Sequence, residues 1–304
     1  MPRTRRIKDF SFIYHVMVKS ISDTTLFKNN HDKDKYLLLL KKCQEKLGFK
    51  LYGYCLMDNH AHMMIDANGA DISKIMHYIN QCYAQYYNIK HKREGHLFKD
   101  RFKSKVVDNE NYLFTLSAYI HKNPKDIEKY KLHPENYNYS SLGIYLGLRK
   151  DTLEIIDQDF VMSFFGTNVI EARHRYYNFV LACDDDMLKN HFEFEDEKSE
   201  YRSERTILKR CYTPEDVIDF VSVYTNISKD AFKTKYSKRA LTYRAICIFL
   251  MRYYCDFTYK DICNIIGNLS LSRVSKLSDL GLELIKTDQL YMNIHQDFLK
   301  YKLS

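Results

Sequence analysis

The sequence lacks the features that mark several common classes of protein. None of its eight cysteines forms a C-x-x-C pair, which argues against zinc ribbons and disulfide frameworks and favours a reduced, cytoplasmic setting. No window approaches about 18 uninterrupted apolar residues, so a membrane span is not expected. The basic start MPRTRRIKDF is followed by no apolar signal region, so secretion is not expected. Tryptophan is absent too, which excludes nothing by itself.

Charge is unevenly distributed along the chain, whose 304 residues are enough for two domains and whose net charge is +8. Between Lys90 and Lys105 there are seven Lys or Arg residues and two acids, whereas between Asp184 and Glu200 there are eight acids and two lysines. The basic stretch also carries aromatic rings, a combination that suits a phosphate backbone with bases stacked beside it. The alternative is a solvated lysine-rich face.

Two histidines one residue apart lie in the apolar stretch GYCLMDNHAHMMI, residues 53–65. If this stretch is a β-strand, alternation places His60 and His62 on one face and Ala61 on the other. Two imidazoles side by side on a rigid strand are a good start for a divalent-metal site, although such a pair is often incidental.

Hydrophobic periodicity predicts a small domain in the first half of the chain. The predicted strands are 12–18, 49–57, 60–66 and 103–107, and the predicted helices are 32–47, 71–89 and 111–123. The order β-α-β-β-α-β-α is typical of the α+β class, with an antiparallel sheet covered by helices on one face.

The third predicted helix, NYLFTLSAYIHKN, carries two candidate nucleophiles. Tyr112 and Tyr119 are seven residues apart and share a face, and Asn123 lies one turn beyond Tyr119. A metal held by His60, His62 and a third polar ligand such as Asn123 would act as a Lewis acid on a phosphate oxygen. A tyrosine would attack the phosphorus, and its phenol would leave readily enough for the step to be reversed without ATP. Imidazoles with few carboxylates suit Mg²⁺ or Mn²⁺.

The second half is predicted to be mainly helical. Short helices are expected between 125 and 183, and the acidic run from Asp184 to about Glu204 is expected to be a linker or an exposed hairpin. Thr213 and Pro214 mark a helix start. Further on, a short helix from Tyr259 to Ile266, a break at Gly267 and a helix over 270–284 form a helix-turn-helix pattern, which many helical bundles share.

Several segments of the first half resemble a known family of proteins. They are NHAHMMI (59–65), GHLFKDRFKS (95–104), NYLFTLSAYIHKNP (111–124) and YNYSS (137–141). They are similar to the HUH superfamily of single-tyrosine transposases, and specifically to the REP-associated tyrosine transposases. The resemblance implies that His60, His62 and Asn123 bind the metal and that Tyr119 is the nucleophile. It also implies a hairpin-containing single-stranded DNA substrate, cut to leave a 5′-phosphotyrosine and a free 3′-hydroxyl.

Basic and aromatic residues in three regions are predicted to bind DNA. The N-terminal arm and the basic stretch would contact the single strand. The C-terminal part resembles the DNA-binding domain of the replication initiator DnaA, which predicts contacts with duplex DNA. The residues concerned are Arg3, Arg5 and Arg6 in the arm, Lys92, Arg93, His96, Phe98, Arg101, Lys103 and Lys105 in the stretch, and Lys238, Arg239 and Arg273 in the C-terminal part.

The predicted organisation follows from these assignments. We expect a catalytic domain over 1–135, a helical extension with an acidic linker over 136–205, a DnaA-like helix-turn-helix domain over 206–285 and a tail over 286–304. The predicted function is metal-dependent cleavage and rejoining of single-stranded DNA in transposition and recombination, by a monomer or a homodimer. The alternatives are a domesticated protein that binds DNA hairpins or regulates transcription without strand transfer, and a replication or mobilisation initiator of the same superfamily.

Overall fold

The computed structural model describes residues 12–21, 24–107, 109–185, 187–188, 192, 210–229, 238–267 and 269–301. The chain divides into two compact units. The first contains Met1–Glu45 and Phe49–Ile207, and the second contains Lys46–Gly48 and Leu208–Ser304.

The first unit is built on a four-stranded sheet. Its strands are β1 (Ile13–Lys19), β2 (Lys50–Leu56), β3 (His60–Asp66) and β4 (Lys103–Val106), and its main helices are α1 (Asn30–Leu47), α2 (Ile72–Lys90) and α3 (Glu110–Lys122). The strand order is β2-β3-β1-β4, and every neighbouring pair is antiparallel. The α+β class and the antiparallel sheet predicted from the sequence are therefore confirmed, with element ends within two residues of the predicted ones.

The sequence of β2 and β3 explains why they form a hairpin at the centre of the unit. Both strands are short apolar runs, and the polar pair Asp58 and Asn59 separates them, as turn residues do. The backbone N–H of Met57 donates to the carbonyl oxygen of His60 over 2.8 Å and closes the turn. His60 therefore begins β3 directly after the turn, at one end of the sheet.

Residues on both faces of β3 are buried. On β3, Met64 lies on the same face as the two histidines and packs with Leu113 and Leu116 of α3. Ala61 and Met63 point to the opposite face and are fully buried as well. Both faces of this strand are thus excluded from water.

The chain after α3 packs against that helix. It contains α4 (Leu142–Tyr145), α5 (Asp159–Met162) and α6 (Val169–Ala182). Tyr176 and Val180 of α6 join the apolar cluster of α3, and so do Leu188 and Phe192 farther along. Part of the described start of the acidic run is therefore packed, because Leu188 and Phe192 are buried, whereas Met187 is exposed. The remainder of the run, 193–204, lies outside the described residues.

The second unit is helical. Its elements are α7 (Pro214–Thr225), α8 (Lys238–Tyr254), α9 (Tyr259–Ile266), α10 (Leu271–Thr287) and α11 (Ile294–Tyr301). Thr213 and Asp216 form the capping box that starts α7, and Gly267 ends α9 with φ of 73°. Residues 294–301, predicted to lie in a tail, instead form a helix that buries Ile294 and Phe298 in the core of this unit. No described helix is long and apolar enough to cross a membrane.

Candidate active site

Two histidines of β3 and two residues of α3 meet on one face of the sheet. The rings of His60 and His62 lie 5.0 Å apart, and the ring of Tyr119 lies 5.2 Å from that of His62, measured between centroids. The side-chain oxygen of Asn123 lies 3.4 Å from Nε2 of His60. The structure thus brings together the four residues that the sequence analysis selected for chemistry.

Helix α3 fixes the orientation of Asn123. This residue follows the last residue of the helix and is 8% exposed. Its side-chain amide nitrogen donates to the backbone carbonyl oxygen of Tyr119 over 2.8 Å. Because the nitrogen is held by the helix, the amide oxygen points away from it, toward His60.

A third histidine supports the pair. His15 lies on β1 and is fully buried, and its Nε2 lies 3.0 Å from Nδ1 of His62. This contact occupies Nδ1 of His62, so Nε2 is the ring nitrogen that remains for a ligand. The sequence analysis missed His15. The available signal was an imidazole in the middle of an apolar strand.

The three imidazoles are held in the neutral form. Burial, reinforced by the charge of Lys105, lowers the pKa of His15 to about 3. Burial also lowers the pKa of His60 and takes that of His62 well below its usual value. A neutral imidazole keeps the lone pair that binds a metal.

The two candidate tyrosines have different surroundings. Tyr112 is 3% exposed and belongs to the apolar cluster of α3. Tyr119 is partly exposed and lines a cavity of about 60 Å³ that Asn123 also lines. Of the two tyrosines, Tyr119 is therefore the one that lines a cavity.

The gathered side chains could hold a divalent cation. Among the described residues no group of three or more His, Cys, Asp or Glu side chains is arranged to hold a metal, and the set gathered here is two imidazoles and an amide. Ligands about 2.1 Å from one ion and adjacent to each other lie about 3 Å apart, close to the 3.4 Å between His60 and Asn123. An ion held by these three side chains would keep positions open for further ligands.

Sheet register places two of the predicted DNA-binding lysines on the histidine face. Met17 of β1 is paired with His62 on one side and with Lys103 on the other. His15 is likewise paired with Lys105. Directly paired residues point to the same face, so both lysines share the face of the histidines.

Other predicted DNA-binding residues of the basic stretch lie at the turn after α2. Lys92, His96 and Arg101 are exposed. The guanidinium of Arg93 donates to the backbone oxygen of His96 and to Asn88, so it holds the turn. The ring of Phe98 packs against Tyr83 of α2, with 6.4 Å between centroids.

The remaining predicted DNA-binding residues are in the arm and in the second unit. Arg3, Arg5 and Arg6 lie outside the described residues. Lys238 begins α8, but its side chain also lies outside the described part of the chain. Arg239 on α8 and Arg273 on α10 are exposed.

Comparisons with known proteins found a matching family model and a similar solved structure. Residues 8–123 match the family model "Transposase IS200 like". One similar solved structure is that of a REP-associated tyrosine transposase bound to a REP hairpin, with 14% identity and a TM-score of 0.42 over 48% of this chain and 86% of that one. No curated protein matches the chain. The resemblance stated from the sequence is confirmed: over residues 8–123 this chain is similar to the IS200-like transposases.

Proposed function

We propose that the protein cleaves and rejoins hairpin-containing single-stranded DNA through a covalent phosphotyrosine. The observation that carries the proposal is the convergence of the Tyr119 ring, the paired histidines and the Asn123 amide, next to a cavity that Tyr119 and Asn123 line. A pure DNA-binding protein has no need of a partly exposed phenol beside neutral imidazoles. The match to the IS200-like transposases supports the same class of chemistry.

Each residue has a distinct part in the proposed reaction. His60, His62 and Asn123 hold Mg²⁺ or Mn²⁺, which when bound withdraws charge from a phosphate oxygen. The phenol oxygen of Tyr119 attacks the phosphorus, and its proton passes to solvent. The new O–P bond forms as the P–O3′ bond breaks, leaving a 5′-phosphotyrosine and a 3′-oxygen that takes up a proton. Reversal with another 3′-hydroxyl rejoins the strand.

The hydrogen bonds around the pair determine which nitrogens are available. We assign the proton on His62 to Nδ1, donated to Nε2 of His15, so that the lone pair of His62 Nε2 faces the cation. Donation of the second ring N–H to a fixed acceptor is the usual way in which a metal-binding histidine is oriented. His15 is thus a positioning residue.

The proposal is tested by trapping the covalent product. The full chain is incubated with Mn²⁺ and a 5′-labelled or 3′-labelled hairpin DNA that carries single-stranded flanks, and is then run on a denaturing gel. We expect a DNA band shifted by one protein mass, with label retained only from the 3′ end of the substrate. Tyr119→Phe should abolish this band. Tyr112→Phe is the matched control and should keep it; a band that persists in Tyr119→Phe contradicts the nucleophile assignment.

A second activity is proposed for the second unit, namely binding to duplex DNA. The helix pair α9 and α10, joined at Gly267, carries exposed Arg273 on the first turn of the second helix. This is the helix turn from which a helix-turn-helix protein contacts base edges. Arg239 on α8 adds a second exposed cation in the same unit.

A further inference from the structure

The cavity beside Tyr119 has lysine ammonium groups in its wall to which no role has been assigned. Two lysines, two aspartates and a leucine lie around it together with the proposed nucleophile and the amide. The lining residues are Tyr119, Lys122, Asn123, Lys125, Asp126, Asp185 and Leu188. Lys122 follows Tyr119 by three residues, so both lie on one face of α3.

Lys122 is a buried cation. Its exposed fraction is 7%, and Nζ lies 2.6 Å from one carboxylate oxygen of Asp185. Nζ also donates to the backbone oxygen of Cys183. A buried ammonium requires an anion nearby, because removal from water otherwise favours its neutral form.

Lys125 contacts the same carboxylate. It lies in the short turn after α3, and its Nζ pairs with the second oxygen of Asp185. Burial alone would raise the pKa of Asp185, but the hydrogen bonds from the two lysines lower it. The two oxygens of one carboxylate are thus held by two ammonium groups at the edge of the cavity.

This arrangement is also suited to a phosphodiester. A backbone phosphate presents two non-bridging oxygens that share one negative charge, as a carboxylate does. We propose that Lys122 and Lys125 form the binding site for a backbone phosphate of the single-stranded DNA, and that Asp185 occupies this site in the DNA-free protein. The inference rests on the proposed function for the identity of the substrate.

A second contact joins the segment after Asp185 to Tyr119. The ring of Phe192 stacks on that of Tyr119, with 4.9 Å between centroids and 29° between planes. Leu188, which lies between Asp185 and Phe192 in sequence, lines the cavity. DNA that binds beside Tyr119 is therefore expected to meet the segment that carries Asp185.

Binding without cleavage tests the inference. The full chain carrying Tyr119→Phe is titrated, without metal, against a labelled single-stranded oligothymidylate, and the affinity is measured as a function of salt. Asp185→Asn removes the competing carboxylate, so we expect it to bind several-fold more tightly, on the order of fivefold. Lys125→Gln should bind on the order of tenfold more weakly, and the slope of log K against log salt should fall by about 0.7, the value for one phosphate contact on a single strand.

An exposed ion pair supplies matched controls. Glu128 and Lys131 pair at 3.9 Å outside the cavity, so Glu128→Gln and Lys131→Gln make the same chemical changes away from the site and should bind as the parent does. The inference is overturned if the Asp185→Asn variant binds DNA no more tightly than the Glu128→Gln variant. It is also overturned if the Lys125→Gln variant binds DNA as tightly as the Lys131→Gln variant. If Asp185 only stabilises the fold, Asp185→Asn will lower the melting temperature and weaken binding.

These measurements are independent of the cleavage assay. If substitutions at Lys125 and Asp185 change the affinity for DNA but the protein forms no covalent product, the phosphate site is supported and the proposed cleavage function is contradicted. If the protein forms the covalent product but these variants bind DNA as the parent does, the cleavage function is supported and the phosphate site is contradicted.

Discussion

At the scale of single residues, the site combines neutral side chains from one strand and from the end of one helix. His60 and His62 lie on a strand whose backbone is fixed by pairing on both sides, and Asn123 is held by its own helix. Rigid elements of this kind hold ligands to a few tenths of an ångström, which loops do not. The partner of His62 is therefore expected to matter even though it touches no substrate.

We predict that His15→Phe weakens metal binding. Phenylalanine keeps the ring volume but removes the nitrogen that accepts from His62, so the ligand loses its fixed orientation; such changes usually lower metal affinity about 10- to 100-fold. Mn²⁺ affinity is measured by isothermal titration calorimetry. His77→Gln, at an exposed position on α2, is the control and should bind as wild type does. An unchanged Mn²⁺ affinity in a folded His15→Phe protein contradicts the positioning role.

At the scale of elements, close contact between two helices defines the second unit. Helices α8 and α10 meet at Gly281, where a Cβ atom would lie 2.3 Å from the backbone oxygen of Ala245 and 2.9 Å from Cβ of Phe249. Real Cβ atoms do not approach a backbone oxygen so closely, so the two helices must separate to admit a methyl group.

We predict that Gly281→Ala destabilises the protein, although alanine favours a helix more than glycine does. Forcing apart two packed helices costs about 1–3 kcal/mol, which exceeds the gain of about 1 kcal/mol in helix propensity. The free energy of unfolding is measured by denaturant titration. Lys276→Ala, at an exposed position on the same helix, is the control; a Gly281→Ala protein as stable as that control would show that the helices can adjust.

A further prediction concerns duplex DNA and the helix pair α9 and α10. Replacing Arg273 with Gln in the full chain should weaken duplex binding by about 1–3 kcal/mol, the effect of losing one base contact. Covalent cleavage of hairpin DNA should be unaffected, because the cleavage residues are in the first unit. Arg175→Gln, an exposed arginine of α6, is the control, and equal duplex affinity in the two variants would count against binding through α10.

At the scale of the whole molecule, burial of histidines makes stability depend on pH. In the second unit, burial lowers the pKa of His295 to about 4, and its Nδ1 lies 3.0 Å from the hydroxyl of Tyr254. The unfolded chain protonates this imidazole near pH 6.5, about the ordinary value. Between about pH 6.5 and pH 4 the unfolded state therefore binds more protons, and stability falls as the pH falls.

We predict that His295→Gln flattens this dependence. The variant should lose less thermal stability than wild type between about pH 7 and about pH 5, because it has no imidazole to protonate on unfolding. Melting temperatures followed by circular dichroism give the comparison. The exposed His77→Gln variant should keep the wild-type slope. A His295→Gln protein with the same slope as wild type would assign the pH dependence to other groups.

Strand alternation and helix spacing predicted the strands and the candidate site residues, while the family resemblance was needed to select Tyr119 rather than Tyr112. Alternation placed His60 and His62 on one face, and spacing placed Asn123 one turn beyond Tyr119. Neither pattern reports which distant segments come together, so His15 and Lys122 were missed. The acidic run illustrates the same gap: its like charges predict an exposed linker, but Asp185 is neutralised by lysines 60 residues earlier in the chain.

Helix α3 carries Tyr119 and ends just before Asn123, and a hydrogen bond ties the amide of Asn123 to the backbone of Tyr119. Any shift of this helix over the sheet would therefore move the proposed nucleophile and the proposed ligand together, and the spacing between them would be preserved. The distance that such a shift would change is the one between helix α3 and strand β3. Substitutions in the apolar cluster beneath α3, such as at Leu113 or Leu116, would thus change the cation affinity and the geometry of attack together, although they replace neither Tyr119 nor Asn123.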